Sequence, residues 1–192
     1  MKNIQDYWAK KAKKAGLRSR AAYKLEEINK KHNLFYGSKI IFELGSAPGG
    51  WSQFIAKLKD KCSVCYSFDC LNMADVKGIK FYKYNFFDDE FKEFSKDFFS
   101  KTDLILSDMS VNLSGISIKD AEENKQLNFF CLELSKKLLS SRGKLLIKSF
   151  NNENLKDLKK EFFNNFQNVF IEKPQASKTS SSEVYLLGLN PK

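Results

Sequence analysis

Short runs of apolar residues recur at 39–44, 63–69, 80–84, 103–107, 143–149, 168–172 and 183–189, each bounded by charged or small polar residues and of a length that suits a strand. Between several of them the period changes. Across 124–139, Leu127, Phe130, Cys131, Leu134 and Leu138 recur at three- and four-residue steps, and across 153–163 Leu155, Leu158 and Phe162 share one face, as an amphipathic helix requires. Residues 51–59 also have helical character. Ahead of the first strand, residues 4–15 and 19–31 predict two basic helices separated near Gly16, the second with an apolar stripe of Ala21, Leu25 and Ile28. Strands alternating with helices predict an α/β fold, a seven-stranded, mostly parallel sheet with helices on both faces. The last strand follows the polar stretch Ser177–Ser182 with no helix between, so it is expected to be antiparallel, a hairpin partner. No repeat or long linker interrupts the pattern, and 192 residues suit a single domain, 1–192.

Composition narrows the partner. The formal charge is +10, and residues 1–31 alone hold ten Lys or Arg against three acids, +7 of that total. Such a segment favours a polyanion, so Lys10, Lys11, Lys13, Lys14, Arg18 and Arg20 are candidate nucleic-acid contacts. The chain has no 18-residue apolar span and no secretory signal, which predicts a soluble protein with no membrane partner, in the cytoplasm or in an organelle such as a mitochondrion if a presequence has been removed. It is read as a monomer. Cys62, Cys65, Cys70 and Cys131 do not form a disulfide framework. Cys62 and Cys65 lie in a stretch that reads as strand, where positions three apart face opposite ways, and His32 is the one histidine, so no metal is expected.

Chemistry concentrates where strands end. Phe42-Glu43-Leu44-Gly45-Ser46-Ala47-Pro48-Gly49-Gly50-Trp51 turns from a strand into a helix through small residues, which brings backbone close to a ligand at the C-terminal edge of the sheet. A phosphate loop would end in Gly-Lys-Ser/Thr, whereas this one ends Gly49-Gly50-Trp51-Ser52. A dinucleotide loop would begin Gly-x-Gly, and Pro48 has no amide to offer a pyrophosphate. A nucleoside lying against backbone remains. Asp69, about twenty residues on, ends the second strand where an acid can accept both ribose hydroxyls. Asn85, after the third, can read an adenine edge or serve a turn. Asp108 closes the fourth strand and points at the same crevice, where it orients a cationic group or caps a helix. Lys148 sits among apolar neighbours on an interior strand, a costly place for a cation without a purpose or an acid nearby. Alone, Glu183 is an ordinary strand-entry acid and Lys24 a surface charge.

Taken in order, these segments resemble the FtsJ/RrmJ family of ribosomal RNA 2'-O-methyltransferases. The resemblance runs through Gly16-Leu17-Arg18-Ser19-Arg20-Ala21-Ala22-Tyr23-Lys24-Leu25, Leu44-Gly45-Ser46-Ala47-Pro48-Gly49-Gly50-Trp51-Ser52-Gln53, Ser107-Asp108-Met109, Ile147-Lys148 and Ser182-Glu183-Val184-Tyr185, and it covers nearly the whole chain. It implies a Rossmann-like fold that uses S-adenosylmethionine, with a Lys-Asp-Lys-Glu tetrad at Lys24, Asp108, Lys148 and Glu183. It also implies cofactor contacts at Gly45, Pro48, Gly49, Gly50, Trp51, Asp69 and Asp108, and at Asn85, where the family commonly has Asp. The usual Ser-Asp-Met-Ala-Pro-Asn becomes Ser107-Asp108-Met109-Ser110-Val111-Asn112, and Ser149-Phe150-Asn151-Asn152 lacks a glycine often present after the second lysine.

The implied reaction is methyl transfer to a ribose 2'-hydroxyl. Lys148 would activate that hydroxyl as a base if neutral, or stabilise developing oxyanion charge if protonated. Burial and Lys24 favour the neutral form, while Asp108 and Glu183 favour the charged one. The form of residues 16–20 is nearer the ribosomal RNA members than the transfer RNA branch. The expected substrate is therefore large-subunit ribosomal RNA within a ribosomal particle, at a uridine of the peptidyl-transferase region. A transfer RNA anticodon loop, or RNA binding without catalysis, is the alternative.

Overall fold

The computed structural model describes residues 2–111, 114–177 and 181–192, with side chains from Tyr7 onward except Ser117. Asn112 and residues 178–180 of the polar stretch lie outside the described residues. In chain order the elements are α1 (Lys2–Lys14), α2 (Ala21–His32), β1 (Ile40–Leu44), α3 (Gly50–Leu58), β2 (Val64–Asp69), β3 (Lys80–Lys83), α4 (Asp89–Lys96), β4 (Thr102–Ser107), α5 (Ser117–Leu138), β5 (Leu139–Phe150), α6 (Asn154–Asn165), β6 (Phe166–Glu172) and β7 (Glu183–Pro191).

The seven strands form one sheet in the order β3-β2-β1-β4-β5-β7-β6. Pairs from β3 through β5 are parallel, and β7 is antiparallel to both its neighbours. The expected hairpin with β6 is present, and β7 also wedges between β6 and β5. Successive residues of the central strands are buried on opposite sides, as a sheet covered on both faces demands. Phe42, Phe68, Ile105, Leu145 and Ile147 pack with residues of α4, α5 and α6. Ile41, Cys65, Leu104, Leu106 and Leu146 pack with Leu25 and Ile28 of α2 and Trp51 and Ile55 of α3. Each fully buried Leu, Ile or Phe contributes roughly 1.5–3 kcal/mol by leaving water. Because β1 pairs β2 on one side and β4 on the other, the C-terminal ends of β1 and β4 open a crevice where the strand order reverses.

Three boundaries differ from the sequence expectation. The helix α4, absent from the sequence expectation, turns Phe91, Phe94 and Ser95 inward but spans only eight residues, too short to register as a period. The helix α5 begins seven residues before the expected 124, behind a turn in which Ser114 N and Oγ donate to Asp120 Oδ1 at 2.9 and 2.6 Å. The strand β5 begins at Leu139 directly after α5, and its pairing with β4 shifts register between Thr102 and Leu104. Cys62 precedes β2 in a turn and is exposed, whereas Cys65 is buried, and the four cysteines are free thiols. Among the described residues no helix is long and apolar enough to cross a membrane.

Candidate active site

At the end of β1 the chain must reverse into α3 without blocking the crevice. Gly45 achieves this with φ +75°, its amide and that of Ser46 donating to Phe68 O at 2.9 and 3.1 Å. A Cβ on Gly45 would lie 2.7 Å from Met109 Cγ and 2.9 Å from Met109 Cα, so the approach of β1 to the end of β4 admits only glycine. A cis Ala47–Pro48 peptide follows, and Gly49, at φ +104°, caps α3. Arg18 holds this turn from outside. Its Nη1 donates to Pro48 O at 3.3 Å and Ala74 O at 2.6 Å, and its Nη2 donates to Asp75 O at 2.8 Å.

Beneath the turn lies the buried carboxyl of Glu43. Burial pushes its pKa up to about 7 despite hydroxyl donation from Ser52 and Ser67, with the charge of Asp108 adding to the rise. Both serines donate to Oε2, Ser52 at 2.6 Å, while Oε1 has no partner. A carboxyl that titrates near neutrality can carry the proton that makes an unpartnered buried oxygen tolerable.

In front of the turn is a cavity of about 450 Å³ lined by Gly45, Asp69, Asn85, Asp108, Met109 and Lys148 among others. Asp69 is fixed there by backbone amides, Ala47 N donating to Oδ2 at 2.9 Å and Leu71 N to Oδ1 at 2.8 Å. Asn85 accepts from Phe87 N at 3.3 Å and is exposed at the rim. Pro48, Gly49, Gly50 and Trp51 do not line the cavity. They build the turn and dock it, the 3% exposed Trp51 donating Nε1–H to Ala21 O at 2.8 Å. The donor set fits an adenosyl group: a rigid carboxylate for ribose hydroxyls, an exposed amide for a base edge, apolar Leu71, Phe86 and Leu127 for the ring, and Asp108 opposite a cationic sulfur.

The far wall carries the charged residues. In the β5–β7 ladder Lys148 sits opposite Tyr185 and Phe150 opposite Glu183, which places Lys148, Tyr185 and Glu183 on one face of the sheet. Directly after β4, Asp108 receives Lys148, whose Nζ donates to Asp108 O at 2.5 Å and lies 3.2 Å from Oδ1. Tyr185 Oη donates to the same Oδ1 at 3.0 Å. From α2, Lys24 is only 5% exposed and pairs with Glu183 Oε2 at 2.7 Å. Burial alone would raise the pKa of Glu183, but the hydrogen bond and charge of Lys24, with Lys148 and Ser181, hold it below the usual carboxylate value. Burial, then the charges of Asp108 and Glu183, push the Tyr185 phenol well above its ordinary value, so it stays a neutral donor. All four residues grouped in the sequence meet here, from α2, β5, β7 and the residue after β4. Tyr185 was missed, although its place two residues after Glu183 on a strand gives both side chains the same face.

The basic segment divides. Lys10, Lys13 and Lys14 are exposed on α1, Lys11 lies over aromatic rings, and Arg20 is the N-cap residue of α2. Arg18 is committed to the carbonyls of the turn.

Residues 17–191 match the family model of FtsJ-like methyltransferases. The chain belongs to this family. FtsJ-like enzymes use S-adenosylmethionine to methylate RNA on a ribose 2'-oxygen, and this chain is one of them. It is similar to the ribosomal RNA large subunit methyltransferase E of Nitrosospira multiformis, 39% identical over 97% of this chain and 92% of that one. The protein of the same description from Hydrogenovibrio crunogenus is 34% identical over 99% and 93%. Among solved structures, a Plasmodium falciparum protein described as a ribosomal RNA methyltransferase superposes with a TM-score of 0.76 at 27% identity, covering 91% of this chain and 98% of that one. The Methanococcus jannaschii fibrillarin pre-rRNA processing protein, at 14% identity and a TM-score of 0.55, shares the fold alone.

Proposed function

We propose that this FtsJ-like methyltransferase, working as one domain, methylates the ribose 2'-hydroxyl of a uridine in the peptidyl-transferase region of large-subunit ribosomal RNA. The relatives' descriptions support the RNA class, and the exposed cations of α1 supply phosphate contacts. The reading rests on one observation above all: Lys148, 8% exposed, lines the adenosyl-sized cavity with its Nζ steered by both Asp108 O and Oδ1.

Bound S-adenosylmethionine supplies an electrophilic methyl group on a sulfonium sulfur. Gly45, Asp69 and Asn85 hold the nucleoside end, and Pro48, Gly49, Gly50 and Trp51 keep the turn in shape. Lys148 would meet the 2'-hydroxyl, taking its proton as a base if neutral or, if protonated, offsetting the negative charge that develops on its oxygen. Asp108 orients Lys148 and faces the cationic side of the cavity, with Tyr185 fixing its carboxylate. Lys24, balanced by Glu183, is left to position the ribose. Orientation by these fixed groups is where much of the rate arises, since the reacting atoms are held before the bond changes.

The test is labelled methyl transfer into total RNA followed by mapping of the modified ribose. Lys148→Ala is expected to lower turnover by about 10²–10⁴-fold, the range of a lost acid–base group, while S-adenosylhomocysteine affinity stays within a few-fold. Near-normal turnover in this variant would remove Lys148 from the chemistry. Label in a transfer RNA anticodon loop would overturn the ribosomal assignment but leave the reaction intact.

A further inference from the structure

Three aromatic residues lie outside both cores, at the junction of α1 and α2. The ring of Trp8 is 5.3 Å from Tyr7 at 76° and 5.1 Å from Tyr23 at 48°. Neither pair is stacked, and Tyr7 is 56% exposed. Into the angle between the rings reaches Lys11, whose Nζ lies 4.8 Å from the centroids of Trp8 and Tyr23 and 5.9 Å from Tyr7. Lys10, Lys13 and Lys14 are exposed on the same helix, and Tyr23 immediately precedes Lys24.

Helix docking explains part of this arrangement, because Trp8 and Tyr23 join α1 to α2. It does not explain why Tyr7 is left exposed and why an exposed lysine, rather than an apolar side chain, covers the rings. Aromatic faces set among lysines are what unpaired nucleobases require: stacking accepts any base, and the ammonium groups meet the phosphates on either side. An exposed cation–π contact is weaker than a base stacked on a ring, so a base displaces Lys11 at little cost and Lys11 then gains a phosphate.

We propose that Tyr7, Trp8 and Tyr23 form a stacking site for an unpaired base flanking the nucleotide that is methylated, a proposal that rests on RNA being the substrate. Of the two tryptophans, Trp51 is buried and shielded from contact with a bound base, so a base-dependent change in emission reports Trp8. The experiment titrates the full chain with a short oligouridylate and with a ribose-phosphate oligomer of equal length lacking bases. The base-bearing oligomer should quench Trp8 to saturation and bind more tightly, while the abasic one binds through charge without the quench. Tyr7→Ala should weaken the first by about tenfold and leave the second unchanged. Trp8→Phe should retain the tighter binding but abolish the signal. Added salt should weaken both oligomers and leave the ratio of their affinities nearly constant.

Equal binding and equal quenching by the two oligomers would overturn the proposal, as would Tyr7→Ala weakening both alike. The titration requires neither cofactor nor turnover. A base-dependent quench in a protein that methylates some other RNA would therefore keep the stacking site and refute only the target, and methylated ribosomal RNA without a base-dependent term would do the reverse.

Discussion

Replacing Gly45 by alanine tests whether the turn is shaped by contact with the catalytic strand or merely by its own backbone. Two penalties apply. At φ +75° a Cβ carries the left-handed cost of about 1–2 kcal/mol. That Cβ would also stand 2.7–3.0 Å from Met109 Cγ, Cα and N, and forcing a group into such a contact costs about 1–3 kcal/mol. Backbone atoms of Met109 cannot swing aside as a side-chain tip could, and Asp108 N is tied to Leu44 O at 3.2 Å. Relief must therefore displace the segment that carries Asp108, and with it Lys148. Gly37 provides the control, since its φ is +72° and a Cβ there meets nothing within 4 Å. Gly37→Ala should lose only the backbone penalty, and the two variants should differ in Tm on the order of 5 °C. Turnover should separate them further, because an ångström-scale displacement of reacting groups costs roughly 10²-fold. Thermal melts with methyl-transfer rates on both proteins decide the matter. If Gly45→Ala melts together with Gly37→Ala and turns over like the wild type, the contact with Met109 does not shape the site.

Three further expectations follow from the same geometry. The pKa of Glu43 is raised from 4.5 to about 7, so between those values the native state keeps a proton that the unfolded chain has lost; stability falls by about 3 kcal/mol as pH rises through that window. Glu43→Gln should flatten the slope in urea midpoints measured from about pH 5 to 8, and an unchanged slope would assign it to another group. Arg18→Lys should weaken S-adenosylmethionine binding by about tenfold in calorimetry, because a single ammonium cannot bridge Pro48, Ala74 and Asp75; full retention would show that the turn holds itself. Asn85→Asp should tighten binding of S-adenosylhomocysteine a few-fold by offering a charged acceptor to the adenine amino group, whereas weaker or equal binding would take residue 85 away from the base.

Most strands were readable to within a residue or two because a sheet buried on both faces leaves apolar runs such as Ile40–Phe42 and Leu104–Leu106. The four charged residues of the site were readable only as a set. Lys24 by itself is a lysine in a basic helix, and nothing local reveals that Glu183, 159 residues away, receives it. Arg18 was misleading for a related reason: composition counts its charge but cannot say that three carbonyls surround it. The first turns of α5 lacked a legible stripe because Asp120 is buried there, while Ile118 is 83% exposed. The Glu43–Ser52–Ser67 cluster was also hidden, since small hydroxyls nine and twenty-four residues from an acid look like ordinary strand and helix positions.

The insertion of β7 between β5 and β6 also bears on how the molecule is made. Lys24 is synthesised early, Asp108 and Lys148 later, and Glu183 and Tyr185 arrive on the strand that fills the last gap in the sheet. Until β7 leaves the ribosome, β5 and β6 each present an unpaired edge, the hazard that invites association between nascent chains. During that interval Lys24 has no carboxylate and Asp108 no tyrosine. The charged cluster and the pairing of both strand edges are therefore completed in the same folding event, and under the proposed roles of these residues a partly made chain is both inactive and exposed to quality control.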